Sequence, residues 1–474
     1  MSLNKLNKTN SIYSKNVKRW HFQYNSYVGG DFYKAGHYLH QYYGEDQAPF
    51  DAYGKRLDNT PLDNHVKTVV DIYRSYLFRQ TPNRTFGNQA GNMFVDRFMA
   101  DADKDGQGIN SFMKTAMDWA MVLGYVWIAV DRPSSQASSA AEEMEQDIRA
   151  YTTMYTPQVV TDWSFAKSDS GEKYLKYIKV IEHTDAETHK IKCWYPNYVE
   201  VYTATVDKLT GEYDGITDSD VMANNLGRVP FVMLQPQHAP NGAAPVSILN
   251  DVADMQKSIY NKLSELEQGI RMSTHPYLVK TDETKASGGA GGIINIPENM
   301  EPGLFPQLLE PGGSSIDSIL QAIAADSASI NAMTHLGAIR ATKGSAMSGI
   351  AMTTERQLLN SKLSDLADVA QETEYKIWAL WFEWMDITPD AEFKIEYYKT
   401  FDTRDPGYEM SLLQQSLITV QNEVYRQYAE MEIVKLTVKD ENDLNIILES
   451  MRNSKPAPST VADNIVNPPE DPTA

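Results

Sequence analysis

The chain has 474 residues, 42% of them hydrophobic, and a net charge of −20. That length exceeds one ordinary core and predicts several domains, while the acidity excludes a molecule that attracts nucleic acid over its whole surface. The single cysteine, Cys193, excludes an internal disulfide; with no apolar run of membrane-spanning length and no signal-peptide core, the chain reads as cytosolic or assembled from cytosolic parts.

Residues 1–45 mix aromatics with Lys5, Lys8, Lys15, Lys18 and Arg19. They read as an arm, solvated or touching a neighbouring subunit in preference to phosphate. Residues 64–78 form a helix that buries Val66, Val69, Val70, Tyr73 and Leu77, ended by Thr81, Pro82 and Asn83. Asp101, Asp103 and Asp105 before Gly106 imitate the start of a calcium loop. The twelfth position is Phe112, where a bidentate Glu is required, so the stretch reads as an Asp-rich turn. Asn110 or Ser111 then caps a helix over 112–123. Residues 125–130 make a buried strand, and 134–146 an exposed insertion. Across 151–235, alternation and Tyr/Val enrichment predict short strands in a mixed or antiparallel sheet. Residues 207–220 make its acidic hairpin tip, and His183 and His189 a solvent-exposed pair beside an acidic turn.

Residues 245–385 organise the rest. A helix over 247–272 carries a stripe of Ile248, Val252, Met255, Ile259, Leu263, Leu266 and Ile270, and Pro276 forbids its continuation. An excursion follows, with a glycine-rich tip at 287–292 and four prolines. The chain returns through a helix over 315–333, with Ile316, Leu320, Ile323 and Ile330 on one side. A polar loop at 335–347 leads to the longest helix, 353–385, striped with Leu359, Leu363, Leu366, Ala370, Thr373, Ile377, Leu380 and Trp384. Thr354 and Gln357 offer a capping box for its start. At ~1.5 Å per residue it spans about 50 Å, long enough to cross between domains or subunits; a buried core helix accounts for the same stripe. A strand over 392–398 and helices over 408–420, 422–436 and 441–451 follow. The Pro-, Ser-, Asn- and Asp-rich residues 453–474 read as disordered.

The sequence concentrates no chemistry of an enzyme. The glycine-rich tip lacks the Lys and Ser/Thr of a phosphate loop, the nine histidines are scattered without metal spacing, and no nucleophile elbow is present. The expectation is a non-enzyme with no cofactor and no metal.

Several local patterns, in their order, carry a resemblance. They are residues 36–39, the helix at 64–78 with its turn at 79–83, residues 101–116 followed by 124–131, and Gly227 to Phe231. Ser264 to Leu266, His275 to Val279 and Ser348 to Ala351 complete the series. In that order the chain, over about residues 30–450, resembles the portal proteins of tailed bacteriophages. The resemblance implies an α+β portal fold with a mixed α/β wing (1–244), stem helices (245–275 and 314–334) and a small α/β clip (276–313). A tunnel loop (335–347), a long helix with a wing strand (348–404) and a helical crown (405–452) come next, then a disordered tail (453–474). It implies a homo-oligomeric ring, typically a dodecamer, at one capsid vertex of a virion assembled in the host cytoplasm. Such a ring is the channel for double-stranded DNA packaging and ejection. Its partners are the terminase large subunit, which holds the ATP chemistry, the major capsid and scaffolding proteins and a head-tail adaptor, with no membrane. On this reading Arg340, Lys343 and His335 of the tunnel loop contact DNA, because the loop has cations and no acid. Phe305, Leu304, Leu308 and Ile294 supply a clip interface, because a lone excursion cannot bury them. The alternatives are a soluble multidomain enzyme or calcium-dependent protein, or another virion connector; connectors of that kind are usually shorter and lack the helix–excursion–helix core.

Overall fold

The computed structural model describes residues 3–45, 51–133, 139–183, 185, 187–240, 244–274, 277–279, 301, 307–309, 314–340, 349–401, 406–420, 422–438 and 441–453. Two compact units divide the chain, Met1–Phe401 and Asp402–Ala474. The fold is α+β, and every strand pair among the described residues is antiparallel.

The first unit opens with helices α1 (Leu3–Asn7), α2 (Ser11–Val28), α3 (Gly30–Ala35) and α4 (Ala52–Asn59). These are not an arm. Trp20, Phe22 and Tyr33 are buried in the core, and Arg19 grips Asp254 through two hydrogen bonds of 2.7 Å. The Lys179 ammonium, itself buried, donates to the carbonyls of Leu6 at 2.7 Å and Lys8 at 2.5 Å, which fixes α1 to the sheet. Lys8, Lys15 and Lys18 are exposed, but Arg19 is tied to a partner far along the chain, which composition cannot distinguish from a solvated arm.

Helix α5 (His65–Leu77) starts where Asn64 accepts the Lys67 N–H, and its predicted stripe is buried throughout. It leads to β1 (Asn83–Thr85) and α6 (Met93–Ala100). Helix α7 (Ile109–Leu123) begins directly after Gly108 with no side-chain cap, so Asn110 and Ser111 lie inside it, not at its head. Its end is set by Gly124, which has φ +93°; a Cβ there would meet the Pro245 carbonyl oxygen at 2.4 Å. Strand β2 (Val126–Asp131) is buried almost end to end because it is the centre of a sheet ordered β3 (Tyr151–Tyr155), β2, β9 (Phe231–Leu234). Between β2 and β3 the described part of the insertion carries α8 (Ala140–Glu145), tied back by Glu143, 2.6 Å from Arg132.

A second sheet runs in chain order through β4 (Val160–Lys167), β5 (Lys173–His183), β6 (Thr188–Trp194), β7 (Tyr198–Val206) and β8 (Tyr213–Ala223). The acidic stretch predicted as a hairpin tip is mostly strand, since β8 starts at Tyr213. As an edge strand exposed on most of its length, it tolerates Asp214, Asp218 and Asp220. His189 is half-buried with Nδ1 3.2 Å from the Tyr213 hydroxyl, so it is not a freely solvated residue.

Helices α9 (Asn250–Thr274), α10 (Ser314–Thr334), α11 (Gly337–Arg340) and α12 (Gly349–Trp384) complete the unit, with β10 (Tyr277–Val279), β11 (Gln307–Leu309) and β12 (Lys394–Glu396). Helix α12 begins well before Thr354, so the Thr354–Gln357 pair is interior and caps nothing. Its stripe from Leu359 to Leu380 is buried, joined by Trp378, Trp381 and Phe382. Each such side chain contributes roughly 1.5–3 kcal/mol by burial. One carboxylate of this helix, Glu374, is fully buried. Glu374 takes Arg84 in two bonds of 2.6 and 2.9 Å, the Tyr397 hydroxyl at 2.6 Å and the Trp378 indole N–H at 3.1 Å. This clamp locks the β1–β12 pair onto α12.

The second unit consists of α13 (Pro406–Thr419), α14 (Glu423–Thr437), capped by Asn422, and α15 (Glu441–Asn453). Among its described residues Ala429 is the one fully buried apolar side chain, while Ile418, Val424, Tyr428 and Ile446 are exposed. The predicted disordered tail falls outside the described residues from 454 on. Among the described residues no helix is long and apolar enough to cross a membrane.

Candidate functional site: a helix hairpin and the loop that follows it

Helices α9 and α10 pack as an antiparallel pair. Asp326 receives Ser258 at 3.0 Å and Lys262 at 2.6 Å, while Gly269 lies against Ile316. At the far end β10 pairs with β11 in the register Tyr277 to Leu309, Leu278 to Leu308 and Val279 to Gln307. The excursion therefore leaves and re-enters through a two-stranded neck. Of the four predicted interface residues, Leu308 is placed in β11, and Ile294, Leu304 and Phe305 lie outside the described residues. Along α10 the predicted stripe is uneven: Ile330 is fully buried, whereas Leu320 is 47% exposed. Its neighbours on the hairpin side are mostly Ala and Ser, which need little cover.

The near end of the hairpin is anchored. Tyr73 of α5 donates its hydroxyl proton to the Thr334 carbonyl at 2.7 Å. The next residue, His335, takes φ +55°. Its N–H bonds the Ala332 carbonyl, and the Leu336 N–H bonds Asn331 at 3.0 Å, so His335 occupies the left-handed position that closes a helix. Leu336 is buried beneath the turn. The Gly337 N–H then donates to Glu355 of α12 at 3.2 Å; a Cβ at 337 would lie 2.6 Å from that oxygen and displace it.

Of the three predicted DNA-contacting residues, Lys343 lies outside the described residues. His335 is a half-buried helix terminator. Arg340 is half-buried, with Nη2 donating to His65 Nδ1 at 3.1 Å. In this chain it is parked on α5 and is not a free cation at a loop tip. No sequence signal marked His65, because its partner is 275 positions away. Among the described residues three buried polar atoms around the turn have no hydrogen-bond partner: Arg340 Nη1, Glu355 Oε2 and Asn331 Oδ1. Such an atom costs about 1–3 kcal/mol when left unpaired.

Two other places are chemically plainer. In the Asp-rich turn, Asp101 accepts the Gly106 N–H at 3.0 Å and Arg149 Nη2 at 2.7 Å, and Asp103 accepts the Asp105 and Gln107 N–H groups at 2.9 and 3.0 Å. The carboxylates brace the turn itself. A half-open cavity of about 870 Å³ is lined by Trp127, Trp163, Phe165 and Phe231, with Arg228 and Lys376 at its edge. Both cations are engaged, with Glu383 and Glu372 respectively. Among the described residues no group of three His, Cys, Asp or Glu is placed to hold a metal.

No family model and no curated protein matches the chain. Among solved structures, one titled "Neck of empty GTA particle computed with C6 symmetry" aligns over 81% of this chain and 94% of its own, with 9% sequence identity and a TM-score of 0.45. Likeness at that level says nothing of function.

Proposed function

We propose that the chain is a portal-type subunit: a ring-forming, non-enzymatic virion protein at one capsid vertex, through which double-stranded DNA is packaged and ejected. The observation that carries this reading is the order helix, necked excursion, antiparallel helix, polar turn, long core helix, set in the sequence patterns that resemble portal proteins. Exposed apolar side chains along that stretch support it. Leu320 and Met333 of α10, Ile339 of α11 and Leu358 of α12 stand open in the single chain, and a ring of copies would cover them. In this reading the excursion beyond β10 and β11, with Phe305, Leu304, Leu308 and Ile294, docks the terminase large subunit and a head-tail adaptor, and the outer surface meets capsid and scaffolding proteins. The acidity of the chain keeps DNA from adhering; Lys343, and Arg340 and His335 only where the turn leaves α5, add weak, salt-dependent phosphate contacts. ATP hydrolysis belongs to a separate motor protein.

The test is assembly. Light scattering and negative-stain images should find rings of several hundred kilodaltons, typically twelve-fold; a lone 53.4 kDa chain at micromolar concentration would refute the reading. Arg340→Ala with Lys343→Ala should leave the ring intact and alter DNA packaging or retention in assembled heads. Unchanged packaging removes the phosphate role while leaving the ring standing.

A further inference from the structure

Helix α11 is held to α5 by a side-chain contact of unusual chemistry. A guanidinium has donors and no acceptor, so the 3.1 Å bond from Arg340 Nη2 requires a lone pair on His65 Nδ1. His65 is therefore neutral, with its proton on Nε2. The imidazole is buried, and its backbone is fixed: it opens α5, and the N–H of the next residue, Val66, donates to Gln256 of α9 at 2.9 Å. A second proton, on Nδ1, converts the acceptor to a donor and sets two cations face to face at a buried imidazole.

Few groups resist that outcome. Among the described residues the charged groups facing His65 are Asp63, from the turn before α5, and Arg340. Asp63 lies 3.1 Å from Nε2 and favours the charged ring, but 59% of its side chain is exposed, so water screens it. Glu355 of α12 is the next acid along, and it is bonded to Gly337. Burial holds the His65 pKa below its ordinary value, Asp63 opposes this, and Arg340 reinforces it. The α11 turn has a thin hold of its own: the Ile339 and Arg340 N–H groups share the Leu336 carbonyl, between the left-handed His335 and Gly337.

We propose that His65 and Arg340 form an acid-opened latch, in which neutral His65 holds Arg340 and α11 against α5, and protonation of Nδ1 expels the guanidinium and frees the turn. The latch is a property of one chain and stands whether or not the protein forms a DNA-conducting ring.

Hydrogen exchange by mass spectrometry on the full-length protein in its native assembly tests it, with rates corrected for intrinsic exchange. Exchange at the imidazole C2–H of His65 reports its protonation in the same samples. Between about pH 8 and about pH 5 the amides of Ile339 and Arg340 should lose about tenfold protection as His65 gains its proton. In His65→Asn, whose Oδ1 accepts as Nδ1 does and cannot titrate, protection should stay high at both values. In Arg340→Ala protection should already be low at the higher pH. The latch is overturned by a His65 that stays neutral across the range, by pH-independent protection in the wild type, by equal pH dependence in His65→Asn, or by full protection in Arg340→Ala.

Discussion

The two ends of α12 are built differently. From Leu359 to Phe382 its apolar stripe is buried within its own unit, and its one buried carboxylate, Glu374, has both oxygens engaged by Arg84, Tyr397 and Trp378. At the other end Leu358 stands half exposed, and among the described residues Glu355 leaves one oxygen without a partner and the turn beside it holds further such atoms on Arg340 and Asn331. One end is complete in a single chain. The other is incomplete among the described residues, and its open apolar side chains are costly where nothing covers them.

The largest effect belongs to the complete end. Glu374→Ala strands the Arg84 guanidinium in a site where its side chain is 3% exposed, and breaking a buried pair of this kind costs about 3–5 kcal/mol. Urea unfolding followed by the fluorescence of Trp378 and Trp381 should report that loss. A change below about 1 kcal/mol would mean the clamp adds little beyond an ordinary hydrogen bond.

A second test reads pH within the same core. Burial pushes the Asp118 carboxyl up to about 6, against the pull of Arg74. The folded state thus binds this proton more tightly than the unfolded chain does. The stability it contributes is present below the ordinary carboxyl range and is lost as pH rises through about 6. The swing is at most about 3 kcal/mol, from about 1.4 kcal/mol per unit. Asp118→Asn should flatten that slope between pH ~4 and ~6; an unaltered slope would show that other groups set it.

The smallest effect on stability, and the most pointed on the open faces of α10 and of the incomplete end of α12, is expected from Leu320→Asp and Leu358→Asp. Both side chains are about half exposed, so the chain should fold with a loss near 0.5 kcal/mol or less, roughly the surface average. Light scattering at matched concentration should nevertheless show assembly weakened. Wild-type assembly from both variants would mean that copies do not meet on these faces, and the contrast between the two ends of α12 would need another cause.

The patterns with a local period were legible from the sequence. Val66 to Leu77, the buried run of β2 and the stripe from Leu359 to Leu380 each announce their element, because side chains at helical or strand spacing must share a face wherever the element packs. Hairpin order was legible too, since Pro276 and the turn-rich excursion forbid a continuous helix. Element starts were less so: Thr354 and Gln357 have the residues of a capping box, yet α12 runs through them from Gly349. Tertiary structure alone decided the partners of charges. Lys179 with the Leu6 and Lys8 carbonyls, Arg84 with Glu374 and Arg340 with His65 join residues 171 to 290 positions apart. A charge reads the same in sequence whether it faces water or a buried partner. Its desolvation and its hydrogen bonds are fixed only once the fold brings the two together.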